Sequence, residues 1–256
     1  MKTRLKLLAF ASSLALSIHV GLSAAQETAA STPAKTVVLV HGAFADGSSW
    51  NKVIPLLEKA GLKVVAVQNP LDSLEGDVAF TDRAIADANG QVVLVGHSWG
   101  GAVITEAGVN DKVHSLVYVA AYAPDDGQSV LDTAKGYPQM PGRSSLVKDA
   151  AGYIKVSDEG VAQYFAADLP RSEQAIVAAT QGALNSVALS QPVTRAAWHD
   201  TPSYVVVASN DTIISPQQQR DQAKRMHATS VEVPSSHVAM LAYPKAVADL
   251  IIKAAR

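Results

Sequence analysis

The 256-residue chain has no cysteine. That single absence removes disulfides, thiolate nucleophiles and cysteine-based metal sites together. If the protein is exported, its stability must come from the core alone. Charge is also sparse in pattern: the net value is −2, with no basic stripe to hold nucleic acid and no acidic tail to keep a segment unfolded. No Gly-x-Gly-x-x-Gly opens a helix, which counts against a dinucleotide-binding fold. No internal repeat or low-complexity tract follows the N-terminal leader, and no His/Asp/Glu run has metal-ligand spacing beyond a stray His199-Asp200 pair. The length suits one large α/β domain carrying an insertion.

What is present begins with Met1-Lys2-Thr3-Arg4-Leu5-Lys6, a basic start to a mostly apolar Leu7–Leu22 stretch, closed by small residues at Ser23-Ala24-Ala25. This is the pattern of an export signal, residues 1–25, rather than a retained anchor, because the apolar run is short and interrupted. The expectation is a periplasmic or secreted protein with no stable membrane association after cleavage. Residues 26–35 read as a flexible leader.

From Thr36 the chain alternates. Thr36–Val40, Lys63–Gln68, Gln91–Val95, Val113–Tyr122, Ser203–Ala208 and Ser230–Val233 read as strands, several of them wholly apolar. Such runs suit a parallel sheet covered on both faces. Helices are expected after Ser48 or Ser49, over Ala79–Ala88, from Ala102, from Pro216 to about His227, and over Pro244–Ala255. The rhythm implies βαβ units with right-handed crossovers. Pro124–Asp200 breaks it. With two expected helices, Asp158–Asp168 and Ser172–Leu184, and no strand of sheet-core type, it reads as a helical cap (124–200) inserted in a core formed by 36–123 and 201–256.

The chemistry centres on Gly96-His97-Ser98-Trp99-Gly100-Gly101. An apolar strand before a G-x-S-x-G sequence and a helix after it make a nucleophile elbow, in which the serine is held in a strained turn and its neighbours lack bulk. A serine hydroxyl needs a base, and the base needs an orienting partner. Among the histidines, His237 follows the last strand, on the sheet edge where Ser98 also emerges; His199 is the weaker rival. Asp211 leaves the penultimate strand beside it, and Asp125 or Asp126, after the Tyr122 strand, is the alternative acid. Backbone N–H groups of Ala43 and Trp99 are the expected oxyanion donors. Phe44, Tyr137, Tyr164 and Trp198 are candidates for a substrate pocket, with Met140, Tyr153 and Phe165 as further apolar or aromatic groups that could instead fasten the cap to the sheet.

His41-Gly42-Ala43-Phe44-Ala45-Asp46-Gly47-Ser48-Ser49-Trp50, the elbow, and Ser236-His237-Val238-Ala239-Met240-Leu241 together resemble the α/β-hydrolase superfamily, in the branch of plant methylesterases, hydroxynitrile lyases and their bacterial relatives. The resemblance runs from about Thr36 to the C-terminus. It implies the α/β-hydrolase fold and a serine esterase using Ser98, His237 and Asp211 on small carboxylic esters, without metal or cofactor. The branch's lyases carry a lysine directly after the catalytic histidine and a threonine near Gly42; here Val238 and Gly42 depart from both, which favours ester hydrolysis. An aspartate at the elbow would suit epoxide hydrolysis, and Ser98 excludes it. A lyase or perhydrolase on the same residues, and a binding protein without turnover, are the alternatives. The sequence is silent on oligomeric state.

Overall fold

The computed structural model describes residues 34–256. The expected export signal, and the leader as far as residue 33, lie outside the described residues. Ala34, within the segment read as leader, is buried and its N–H donates to the Ala255 carbonyl at 3.0 Å; β1 (Thr36–Val40) follows.

Six parallel strands form one sheet in the order β2-β1-β3-β4-β8-β9. They are β1, β2 (Lys63–Val67), β3 (Val92–His97), β4 (Val113–Val119), β8 (Ser203–Ala208) and β9 (Thr229–Val233). The interior strands β1 and β3 are buried along their whole length, because helices cover both faces. The edge strands carry Lys63 and Glu232 in half-exposed patterns, which also discourages pairing with another sheet. The register pairs Val40 with Gly96, His97 with Val119, and Val119 with Val206, so the C-terminal ends of four strands align on one edge. Chain order reverses between β1 and β3, and that crevice is where ligands bind in open α/β sheets.

Local differences from the sequence reading have physical causes. After β1 the cap is Asp46, not Ser48 or Ser49: its side chain accepts from Ser48 N–H at 2.8 Å and starts a short 3₁₀ turn, Gly47–Trp50. α1 (Ile54–Lys59) starts afresh with Pro55 in its first turn, where the missing N–H costs nothing. α2 spans Leu74–Asp87, starting five residues before the expected Ala79, because the Ser73 hydroxyl accepts from Gly76 N–H at 3.0 Å and caps it. α3 (Gly100–Ala107) follows the elbow. β4 stops at Val119 rather than Tyr122, since Ala120 turns left-handed at φ 44°.

The segment between β4 and β8 belongs to the same compact unit as the sheet. It holds α4 (Val130–Thr133) and a small antiparallel sheet of β5 (Leu146–Lys148), β6 (Tyr153–Val156) and β7 (Leu184–Asn185). Those strands were not expected; at two to four residues each they carry too little alternation to register. The first expected helix is α5 (Asp158–Gly160) running into a π-helical turn, Val161–Phe165. The second is α6 (Arg171–Ala179), which ends short of Leu184 because the chain enters β7 there. α7 (Pro216–Arg225), the short α8 (Ala239–Ala242) and α9 (Pro244–Ala254) complete the core.

Candidate active site

Ser98 leaves β3 at φ 50°, in the left-handed region that non-glycine residues avoid. Hydrogen bonds hold it there. Its N–H donates to the Val119 carbonyl at 3.3 Å, and its own carbonyl accepts from Gly101 and Tyr122 at 3.0 and 3.2 Å. A Cβ on Gly96 would run into the Gly100 carbonyl, and one on Gly101 into that of Tyr122, so the tight turn requires both glycines. The strain, of order 1–3 kcal/mol, is stored at one residue of the chain that carries a nucleophilic oxygen.

His237 lies in the loop after β9 and is fully buried. Its Nδ1 is 2.8 Å from Asp211 Oδ2. Asp211 is buried as well, and its carboxylate accepts three further bonds: Ile213 and Ile214 N–H at 2.7 and 3.1 Å, and Gln219 Nε2 at 2.8 Å. Four donors thus share its two oxygens. Asp211 thereby holds the proton on Nδ1 and leaves Nε2 with its lone pair. That Nε2 is buried without a hydrogen-bond partner, and Ser98 Oγ does not close a bond to it in this conformation. Bonds of this kind are often long in unliganded enzymes and tighten around substrate.

The alternative acids point elsewhere. Asp125 pairs with His199 at 2.7 Å, and Asp126 accepts from Ala196 N–H at 2.6 Å. The structure therefore brings Asp211 to His237, and takes Asp125, Asp126 and His199 to a separate, exposed cluster whose ligand atoms lie within 4.8 Å of one another. The sequence pairing of His199 with Asp200 gives way, because Asp200 bonds Arg195 at 2.6 Å.

Two more histidines support the site. His97 Nε2–H donates to the His237 carbonyl at 3.0 Å, and the two rings lie 4.8 Å apart. Burial holds His97 well below the usual imidazole range, so it stays neutral and fixes the His237 main chain. His41 accepts from Asn69 N–H at 2.9 Å through Nε2, which leaves Nδ1–H to bond the Gly42 carbonyl at 2.8 Å.

The loop after β1 approaches Ser98 closely. A Cβ on Gly42 would stand 2.9 Å from Ser98 Cβ and 2.8 Å from His97 Nδ1. Phe44, at φ 60°, spends its N–H on the Gly182 carbonyl at 3.1 Å. The N–H groups of Ala43 and Trp99 have no acceptor among the described residues. Gly42→Ala should displace this loop and cut kcat on an aryl ester by about 100-fold or more, the cost of losing one oxyanion donor. Steady-state kinetics with circular dichroism as a folding control checks this.

Of the expected pocket residues, Phe44 lines a cavity of about 220 Å³ with Phe165, Ile176, Val177, Val238 and Leu241. The two phenylalanine rings meet edge to face at 6.2 Å, and Phe165 also stands 5.0 Å from the His237 ring. The other three lie away from this cavity. Tyr137 bonds Asp221 at 3.0 Å and faces a second cavity with Met140. Tyr164 is half-buried, with its carbonyl accepting from Thr212 Oγ1 at 3.3 Å. Trp198 donates Nε1 to the Pro124 carbonyl at 2.8 Å and stacks under Arg225, so it fastens the inserted segment to the core. Tyr153 bonds Asp72 at 2.6 Å in an exposed position.

Residues that sequence reasoning missed act over long range. Asp168, in the inserted segment, accepts from Ser235 Oγ at 3.0 Å, Ser236 N–H at 2.8 Å and Ser236 Oγ, pinning the loop that carries His237. Asp77 bonds the Trp99 indole. No local spacing signals either contact.

The chain is similar to several known proteins. A carbendazim hydrolyzing esterase from Nocardioides sp. is 36% identical over 110 residues, 37% of this chain and 45% of that protein, so the aligned part spans less than half of that relative. A pyrethroid hydrolase from Sphingobium wenxiniae is 28% identical over 249 residues, covering 84% of this chain and 85% of its own. An extracellular α/β-hydrolase from a Paenibacillus species, described as structurally and functionally homologous to tobacco salicylic acid binding protein 2, superposes with a TM-score of 0.71 at 22% identity, over 86% of this chain and 99% of that one. Residues 37–250 match the alpha/beta hydrolase family, and with the parallel sheet, the strained elbow and the buried His237–Asp211 pair in place, the chain belongs to that family.

Proposed function

We propose that this protein is a serine carboxylesterase that cleaves small carboxylic esters through an acyl-enzyme. One observation carries the reading: the buried His237–Asp211 pair presents an unengaged Nε2 on the sheet edge from which the strained Ser98 also emerges. In this mechanism Ser98 Oγ attacks the ester carbonyl as His237 Nε2 takes its proton. Asp211 keeps the imidazole in the right tautomer and stabilises its positive charge. The oxyanion receives hydrogen bonds from Ala43 and Trp99 N–H, at the N-terminus of α3, whose dipole favours negative charge. The tetrahedral intermediate collapses, and His237 returns the proton to the leaving alcohol. Water then repeats the sequence on the acyl-enzyme and releases the acid.

The small cavity beside Phe44, Phe165 and Val238, whose wall also carries Asp46, Lys52 and Glu173, supports a short or aromatic acyl or alkyl group rather than a long lipid chain. Ser98 is only 6% exposed. The pyrethroid and carbendazim hydrolases among its relatives act on small molecules by name, which supports the same substrate size. Export through residues 1–25 belongs to this proposal. It is supported by the basic and apolar start of the sequence and by the extracellular Paenibacillus neighbour. Among the described residues no helix is long and apolar enough to cross a membrane.

The test is a panel of p-nitrophenyl esters from acetate to palmitate, with mandelonitrile alongside. Turnover of the short and aryl esters, little of palmitate, and no cyanide release is the expected result. Absence of ester turnover, or cyanide release in its place, overturns the reading.

A further inference from the structure

Asp77 stands in the first turn of α2 with no solvent exposure and no cationic partner among the described residues. A buried carboxylate without a counter-ion is costly unless its oxygens are well used. Here each oxygen accepts one bond. Oδ2 takes the Trp99 indole N–H at 2.7 Å, and Oδ1 takes Leu71 N–H at 2.8 Å. Asparagine could serve only one of these donors, since its NH₂ would face the other. The carboxylate is thus the side chain that joins the two.

Both donors lead to the oxyanion hole. Trp99 follows Ser98, and its main-chain N–H is one of the two oxyanion donors proposed above. Leu71 sits at φ 63°, and its carbonyl accepts from Asn185 N–H of β7 at 2.9 Å. Gly182, just before β7, would bring a Cβ to within 2.7 Å of the Leu71 side chain, and its carbonyl holds the N–H of Phe44, next to Ala43. One carboxylate therefore anchors the elbow directly and the loop after β1 through β7.

We propose that Asp77 is a positioning residue for the oxyanion hole, setting the Trp99 main chain through its indole and the Ala43 loop through Leu71 and the Gly182–Asn185 segment. This rests on the esterase reading. Burial, opposed by the two hydrogen bonds, pushes the Asp77 carboxyl up to about 6. A carboxyl raised above its unfolded value stabilises the fold fully below the unfolded pKa of 3.8 and loses that contribution as pH rises through about 6. Asp77 is thus held ionised at neutral pH at the expense of stability, as a residue kept for its geometry would be.

The experiment compares wild type, Asp77→Asn, Trp99→Phe and the double variant on a p-nitrophenyl ester, with binding of an alkylboronic acid that forms a tetrahedral adduct on serine. Asp77→Asn and Trp99→Phe are each expected to lower kcat by roughly 10- to 100-fold, part of the worth of an oxyanion donor, with KM within about threefold. Asp77→Asn keeps a bond to only one of its two donors, so the double variant, which also lacks the indole N–H, should be at least as poor as the worse single variant. Boronate affinity should fall in parallel with kcat, while inhibition by the product carboxylate is unchanged. Wild-type stability relative to Asp77→Asn should rise between pH 7 and pH 5. Wild-type kcat in either single variant, or a loss confined to KM, overturns the inference and leaves the esterase reading standing. If Asp77→Asn fails to fold, Trp99→Phe decides alone. A wild type without turnover overturns both.

Discussion

Ser98→Ala is expected to lower kcat on a short aryl ester by about 10⁴- to 10⁶-fold, with the residue of activity coming from the oxyanion donors and binding alone. The size of the effect follows from the chemistry, since no other hydroxyl sits on the elbow. Ser98→Gly separates catalysis from folding. Ser98 holds φ at 50°, where serine is strained and glycine is not. Removing that strain should raise stability by about 1 kcal/mol while abolishing turnover. Thermal unfolding beside kinetics reads both. A glycine variant that is inactive and less stable would mean that the backbone conformation is not the reservoir of strain described above.

Asp211→Asn is expected to cost about 10⁴-fold in kcat, because the amide no longer fixes the proton on His237 Nδ1. It should also destabilise the protein by a few kcal/mol. The carboxylate accepts from Ile213, Ile214, Gln219 and His237 in a site with no water access, and any placement of an NH₂ group there opposes at least one of these donors. The Asp125→Asn, Asp126→Asn double variant should retain nearly wild-type kcat, since those groups bond His199 and Ala196 instead. Kinetics of the two variants side by side, with unfolding curves, checks this. Loss of activity in the double variant alone would move the acid to the end of β4.

The parts legible in the sequence are those built from neighbours in the chain. The elbow needs glycines two residues either side of Ser98, and the apolar strands announce a sheet covered on both faces. The ends of β3, β8 and β9 then place Ser98, Asp211 and His237 on one edge by topology alone. What was hidden depends on groups far apart in sequence or on side-chain direction. The insertion's aromatics looked alike in composition, yet Trp198 serves as a rivet under Arg225 and Tyr137 turns to Asp221, while Phe165 meets His237. The π-helical turn that carries Phe165 has no sequence pattern of its own. Asp77 lies 22 residues from Trp99, and Asp168 lies 68 from Ser236, so neither contact could be read from spacing. Ser73 shows the smaller error: the start of α2 was placed at Ala79, whereas Ser73 caps the helix through the Gly76 N–H and the helix starts at Leu74, five residues earlier in the chain.

The central claim is that His237 activates Ser98 for attack. Labelling with a fluorophosphonate, followed by peptide mapping and the labelling rate in wild type and His237→Ala, tests it most directly. The account predicts one adduct, on Ser98, formed rapidly in wild type and slower by several orders of magnitude without the imidazole. An adduct on another residue, or equal rates in the two proteins, would contradict it.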